Sequence, residues 1–425
     1  MGKTIIEKIF ENHTEDEVKP GNIIWLDIDT RTARDFGGPN VVKKLYEYYG
    51  EDVQVDDPSR TFFTFDTVAP AKTIPYANNQ HFCRQFAKKR GIKVFDVDSG
   101  IGSHVAIEKG LCWPGSTFVG TDSHLNILGA VGAFGQGMGD ADIAFAFKTG
   151  KTWFEVPSTI KIIFKGKPYK FPVTAKDLTL FTLRQLGSKG ALGRAIEFYG
   201  EVIDNMSLFE RITLSSMVTE MGGIIGFITP DEKIIEHFKK VKNNPEIKPV
   251  IADDDAEYEK VIEIDISNLK PQIACPPKPD NVKDVREVEG ITVDSVFIGS
   301  CTNGRYEDIS LAAEIFKRFK VKEGVMAKVV PSTREVFGRL LKDGTLDILY
   351  EAGVIVSNPG CGGCASGQIG MTGKGEVQIS TSNRNFKGKQ GDGDTYLASP
   401  VVAAVCAVTG EITDPVEFLK QKGVL

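Results

Sequence analysis

The sequence predicts an α/β protein with mostly parallel strands. Short apolar runs recur along the chain, and each ends at once in a polar, Gly-rich loop, the pattern of buried strands bounded by turns. Segments with helical periodicity and capping residues alternate with those runs. Such an alternation builds parallel sheets, whose ligands collect at the carboxyl ends of the strands. Every polar loop named below would sit there.

Taken in chain order, the run at 94–97 leads into DSGIGSH and the run at 117–119 into GTDSH. Residues 148–157 close this first Gly-rich region. The middle region holds a charged stretch, IADDDAEYEK (251–260), and ends in KPQIACPPKPDNVKDV (270–285), which is Pro-rich, lacks periodicity and reads as an interdomain linker. The third region opens with the run 293–298 before GSCTNGR. A helix is expected over 306–319. Ser332 should open a capping box closed by Glu335. The run 354–356 leads into SNPGCGGC, and 377–380 leads into TSNRNFKGKQG. Ser399, Pro400 and Gly410 punctuate a last helix, VVAAVCAVT. The 425 residues allow two to four domains at about 100–200 residues each. The expected division is 1–157, 158–283 and 284–425.

Composition removes several functions. With 51 Lys+Arg against 57 Asp+Glu, the net charge of −6 argues against nucleic acid or an anionic membrane as the primary ligand. The N-terminal MGKTIIEKIFENH carries acids and no apolar core, unlike a signal peptide. No apolar stretch approaches the roughly 18 residues that span a bilayer. The seven cysteines are odd in number and scattered, which excludes a dense disulfide framework and suits a reducing cytoplasm.

In that compartment a close Cys pair reads as metal-binding or redox. Cys361-Gly-Gly-Cys364 follows one strand and Cys301 another, and parallel strands can bring the three thiols into one Gly-lined crevice. A structural zinc would need a fourth ligand. A thioredoxin-like pair would leave Cys301 without a role. An Fe–S cluster held by three cysteines would leave one iron open to substrate as a Lewis acid. Cys83, Cys112, Cys275 and Cys406 read as small packing groups. Nucleotide motifs fail: Gly150-Lys151-Thr152 ends like a P-loop, but Phe145 stands where its first Gly belongs, and Gly135-Gln-Gly-Met-Gly139 has the wrong spacing.

GTDSHLNILGAVGAF (120–134), GSCTNGR (299–305), NPGCGGC (358–364), STSNRNFKGKQG (380–391) and SPVVAAVCAVTGEI resemble the aconitase superfamily, over essentially the whole chain and in order. The length resembles its separate large subunits of the 3-isopropylmalate dehydratase and homoaconitase type. The resemblance implies three α/β domains around a [4Fe-4S] cluster with one iron not ligated by Cys. It also implies a separate small swivel-domain subunit, which carries the serine base, and a small hydroxy acid as substrate. It makes Cys301, Cys361 and Cys364 the cluster ligands. Asp122 and His124 match a paired acid and imidazole, with Ser123 between them, and Glu220 matches a carboxylate near the open iron. Asn383 and Arg384 match a cluster-side amide and a substrate-carboxylate arginine.

Departures from the family pattern cluster at the substrate. Asp66 keeps its place, but the following His is Thr67. The Gly-Ile-x-His-Gln pattern aligns with Ser103 and His104 in place of His and Gln. The second arginine is Lys389, which lacks the planar fork that grips a carboxylate at two points. CGPCLG is CGGCAS, and an Asn is Ser216. The expected activity is a hydro-lyase acting on a 2- or 3-substituted malate, with His104 or His124 supplying the acid lost at Thr67. The alternatives are a hydro-lyase for a non-standard substrate, a cluster-binding redox or iron sensor with little hydratase activity, and a zinc-stabilised binding protein.

Overall fold

The computed structural model describes residues 2–365 and 368–425; Ser366, part of the CGGCAS departure, lies outside the described residues. The expected α/β class is observed. One sheet has five strands in the order Lys93–Phe95, Thr61–Thr64, Thr30–Arg34, Thr117–Gly120 and Phe134–Gly137, all parallel. Thr61–Thr64 and Thr117–Gly120 are buried along their whole length, as strands covered on both faces must be. A second, four-stranded sheet is also parallel and runs Ile225–Phe227, Ala195–Tyr199, Thr159–Lys165, Lys260–Asp265.

The third sheet has seven strands, in the order Val282–Asp284, Gln272–Ala274, Asp394–Ala398, Val377–Ser380, Ser295–Ile298, Met326–Val329, Ile355–Val356. Its first two pairings are antiparallel and the rest parallel. The Pro-rich segment 270–285 is therefore not a linker. Residues 272–274 and 282–284 form a hairpin on the sheet edge, where prolines do not interrupt a central ladder. The strands of this sheet thus begin before residue 284, and the change from the second sheet to the third falls near Pro271.

Capping explains the helix ends. Ser399 Oγ accepts from the Val402 N–H, Pro400 takes the first turn, and Gly410 closes the helix Pro400–Thr409 at φ +75°. That helix is buried from Pro400 to Ala407, as an all-apolar helix must be. The expected cap at Ser332 moves by one residue. Thr333 Oγ1 accepts from the Val336 N–H and starts the helix Arg334–Lys342. Ser332 is engaged elsewhere: its N–H donates to Gly304 O at 2.7 Å and its C=O accepts from the Ile101 N–H at 2.7 Å. The Gly150-Lys151-Thr152 near-match joins the helix Asp140–Thr149 to the strand Lys151–Glu155, the reverse of the strand-to-helix turn that cradles phosphate. Among the described residues, no helix is long and apolar enough to cross a membrane.

The Ser332–Ile101 bond belongs to a seam between the carboxyl edges of the five- and seven-stranded sheets. Cys361 N–H donates to Asp66 O at 2.9 Å, and Arg334 N–H to Ser99 O at 3.1 Å. The middle region closes the third side, where Thr213 Oγ1 donates to Thr302 O at 2.9 Å.

Candidate active site

The seam brings the polar loops of both sheets together. The five-stranded sheet contributes Asp66 and Thr67 after Thr61–Thr64, and Asp122, Ser123 and His124 after Thr117–Gly120. It also contributes Arg34, the last residue of its central strand. The seven-stranded sheet contributes Cys301, Cys361 with Cys364, and Asn383 with Arg384, each just beyond a strand. Glu220 comes from the short 3-10 helix Val218–Met221 of the middle region.

Arg34 is the hub. Its Nε donates to Asp66 Oδ1 at 2.7 Å, Nη1 lies 3.0 Å from Asp122 Oδ1, and Nη2 lies 2.6 Å from Cys361 Sγ. Burial works against its charge, but Asp122, Asp66 and Cys361 hold the guanidinium firmly protonated. Burial pushes the Asp66 carboxyl up to about 6, with Arg34 opposing and Asp35 and Asp122 adding to the rise. Burial opposes the Asp122 charge too, yet Arg34 and His124 hold that carboxyl below its ordinary range. Sequence reasoning missed Arg34. Its signal was the same strand-then-loop pattern, TRTAR before DFGGP, but the run is too polar to stand out.

A second group surrounds Glu220. Its Oε1 accepts from Arg384 Nε at 2.8 Å and lies 3.1 Å from His124 Nε2. Against burial, His124 and Arg384 hold this carboxyl low. Its Oε2 is buried and has no hydrogen-bond partner among the described residues. Asp122 Oδ1 accepts from the His124 N–H at 3.0 Å, and Ser123 Oγ lies 3.3 Å from His124 Nδ1. The two groups therefore share Asp122.

Asn383 is fully buried: its Oδ1 accepts from Thr302 Oγ1 at 2.6 Å and from the Cys301 thiol at 3.3 Å. Its Nδ2 donates to Ser216 O at 3.3 Å. The Asn383–Arg384 loop rests on two residues that sequence reasoning passed over. Lys176, fully buried, donates from Nζ to Thr381 O at 3.0 Å and Ser382 O at 2.9 Å. Burial takes its amine down to about 8, with Glu220 and Cys301 opposing. Gln390 Nε2 donates to Ser382 Oγ at 2.6 Å and to Arg384 O at 3.0 Å. Lys389, beside it, is half-buried, and its amine has no partner among the described residues.

His104 departs from the expectation that it faces substrate. It is wholly buried, with Nε2 2.9 Å from Cys301 O and Nδ1 3.2 Å from Arg305 Nη1. A carbonyl only accepts and a guanidinium only donates, so Nε2 carries the proton. Burial, with Arg305, takes the imidazole down to about 3. Held neutral between a carbonyl and a guanidinium, His104 ties down the Cys301 loop rather than offering an acid. Ser103 Oγ is buried with no hydrogen-bond partner among the described residues, and Thr67 Oγ1 donates weakly to Asp66 Oδ1 at 3.4 Å.

The cysteine crevice suits a cluster. All three thiols are buried and free. Burial and the neighbouring Asp122 and Cys364 push the Cys301 thiol well up. Burial does the same to Cys361, with Arg34 opposing. The crevice by itself therefore favours thiols, and a polycationic centre would supply what three thiolates need. Gly362, at φ +60°, passes so close to Phe297 and Val330 that a Cβ would lie 2.8 Å from Val330. Among the described residues, no three Cys, His, Asp or Glu side chains are placed to close round a single metal ion.

Two mostly parallel α/β layers thus meet over three buried thiols, an arginine hub and a Glu–His–Arg cluster. The profile of the aconitase family (aconitate hydratase) matches residues 7–290 and 283–410, and the chain belongs to that family. The "3-isopropylmalate dehydratase large subunit 1" of Methanopyrus kandleri is 44% identical over 422 residues, covering 99% of this chain and 100% of the relative. The "3-isopropylmalate dehydratase large subunit" of Aquifex aeolicus is 44% identical, covering 99% of this chain and 98% of the relative. The "3-isopropylmalate dehydratase large subunit 1" of Archaeoglobus fulgidus is 41% identical, covering 98% of this chain and 99% of the relative. Among solved structures, Thermococcus kodakaraensis aconitase X (holo-form) shares the fold with a TM-score of 0.52 and 12% identity, over 89% of this chain and 87% of that one.

Proposed function

We infer that this chain is the large subunit of a hydro-lyase that reversibly removes water from a 2- or 3-substituted malate of the 3-isopropylmalate type. The observation that carries this reading is Glu220, gripped through Oε1 by His124 and Arg384 while its buried Oε2, near enough to the Cys301 thiol to act on it, has no partner among the described residues. Cys301, Cys361 and Cys364 would hold a [4Fe-4S] cluster with one iron free of cysteine, and when bound this cluster supplies Lewis acidity toward the substrate hydroxyl.

The chain's own groups do the rest. Arg384, with Lys389 nearby in the same loop, receives a substrate carboxylate. His124, set by Asp122 at its backbone and by Glu220 at Nε2, holds and passes the proton of the departing water. Arg34 and Asp66 fix Asp122 and the Cys361 loop. Asn383 keeps the Cys301 thiol in place, and Ser123 borders the imidazole. No base for the carbon-bound proton is assigned within this chain. A separate small swivel-domain subunit would bring it, and the relatives' designation as large subunits supports such a partner. Seven free cysteines support a cytoplasmic setting. Three domains, 1–157, 158–283 and 284–425, suit the three larger sheets once the second boundary is drawn back toward Pro271.

The test is anaerobic co-expression of this chain with a small subunit, followed by iron and zinc analysis and assay of 3-isopropylmalate dehydration. A brown complex with iron and turnover is expected. A colourless, zinc-loaded complex without turnover overturns the reading.

A further inference from the structure

Residues 382–385 belong to neither a helix nor a strand, so side chains rather than a ladder hold their backbone. From the middle region, Lys176 Nζ takes Thr381 O and Ser382 O. From the side of the seven-stranded sheet, the Gln390 amide takes Arg384 O, Nε2 donating at 3.0 Å. The same Nε2 donates to Ser382 Oγ at 2.6 Å, while Oε1 accepts from Gln378 Nε2 at 3.0 Å and from Ser380 Oγ at 2.9 Å. Gln390 is 2% exposed, and both donors and both acceptor sites of its amide are used.

A carbonyl only accepts, so Arg384 O fixes which end of the Gln390 amide faces it. That choice sets the rest of the chain. Gln390 Oε1 must accept from Gln378 Nε2, and Gln378 Oε1 then accepts from Lys328 Nζ at 3.2 Å and Ser295 Oγ at 3.1 Å. A flipped Gln390 would set oxygen against oxygen at Arg384. The relay therefore has one arrangement, and it is rooted in three neighbouring strands, Val377–Ser380, Ser295–Ile298 and Met326–Val329. Of the four partners of the Gln390 amide, only Arg384 O is main chain. The Arg384 side chain is partly exposed and gives Nε to Glu220 Oε1 at 2.8 Å. Its outer nitrogens make no hydrogen bond among the described residues, which leaves them available to a carboxylate.

We propose that Gln390 is a positioning residue for substrate binding: by holding the Arg384 carbonyl, it sets the reach of the guanidinium that receives a substrate carboxylate. This rests on the hydro-lyase reading above. Gln390 does not touch substrate and acts only through Arg384. One guanidinium has to meet Glu220 and a carboxylate together, and a misplacement of about 1 Å can cost about 100-fold.

Gln390→Met keeps the length of the side chain and removes all four bonds. Gln390→Asn keeps the amide but is one carbon too short to span Gln378 and Arg384 O. In the iron-loaded two-subunit complex, either variant should raise KM for 3-isopropylmalate at least about 10-fold, while kcat per bound iron stays within about 3-fold of the parent. The loss should vanish once the Arg384 guanidinium is gone: Arg384→Ala and the double variant Arg384→Ala/Gln390→Met should share one kcat/KM. Three results overturn the inference and leave the hydro-lyase reading standing. One is a parental KM in both Gln390 variants. Another is a loss that persists undiminished in the Arg384→Ala background. The third is a fall in turnover that only follows lost iron at parental KM, which would make Gln390 a brace of the fold. A parent complex that neither binds nor turns over the diacid overturns both.

Discussion

Arg34 Nη2 lies 2.6 Å from Cys361 Sγ although 327 residues separate the two in sequence. Through the same guanidinium, the five-stranded sheet holds Asp66, Asp122 and the cysteine loop of the seven-stranded sheet at once. Arg34→Leu would leave two buried carboxylates uncompensated. We expect a loss of about 3–5 kcal/mol in chemical denaturation, the range for removing one partner of a buried ion pair, with failed cluster reconstitution. Arg34→Lys, which lacks the fork, should fall between Leu and the parent. Unchanged stability in Arg34→Leu would refute the hub role.

Glu220→Gln keeps the size of the side chain and a hydrogen-bonding oxygen for Arg384 but removes the charge between His124 and Arg384. Iron content and folding should survive. Turnover should fall about 100- to 10,000-fold, the range for a displaced acid–base group. Steady-state kinetics beside the visible absorbance of the complex measures both; near-parental kcat would remove Glu220 from the proton path.

His104→Ala tests the role found for this imidazole. Cys301 O and the Arg305 guanidinium would each lose a buried partner, costing about 1–3 kcal/mol apiece. The expected signs are a lower Tm and a lower yield of bound iron, with residual turnover proportional to iron content. A fully iron-loaded variant without turnover would instead return His104 to the chemistry.

Lys328 offers a pH test away from the site. It is buried, donates to Gln378 Oε1 at 3.2 Å, and burial takes its amine from 10.5 down to about 8. The folded state therefore favours the neutral amine. The unfolded chain binds the extra proton between pH 8 and pH 10.5, so this group's contribution grows as pH rises through that window and is lost as pH falls through 8. Lys328→Met should remove that slope and stabilise the protein at pH 7, by at most about 3 kcal/mol. Parallel stability–pH curves for variant and parent would contradict this.

Much of the architecture was written locally. Ser399, Pro400 and Gly410 mark a helix by caps that act within four residues, and the strand Val377–Ser380 is bounded by its own turn residues. The Ser332 cap failed by one residue because Gly304 and Ile101, distant in sequence, take its backbone groups. The 270–285 segment looked like a linker because prolines hide edge strands. Its pairing partner lies more than a hundred residues downstream, in Asp394–Ala398.

The sequence by itself determined the α/β class and the polar loops that meet at the strand ends, and it singled out the three cysteines, Asp122, His124, Glu220 and Arg384 as candidates by residue type and spacing. Only the tertiary structure decided that Arg34 is the hub, that Lys176 and Gln390 support the Arg384 loop, and that His104 faces a carbonyl and an arginine. The reason is physical. A side chain's charge state and role depend on its burial and on the partners within about 3 Å, and here those partners come from strands that the chain visits hundreds of residues apart.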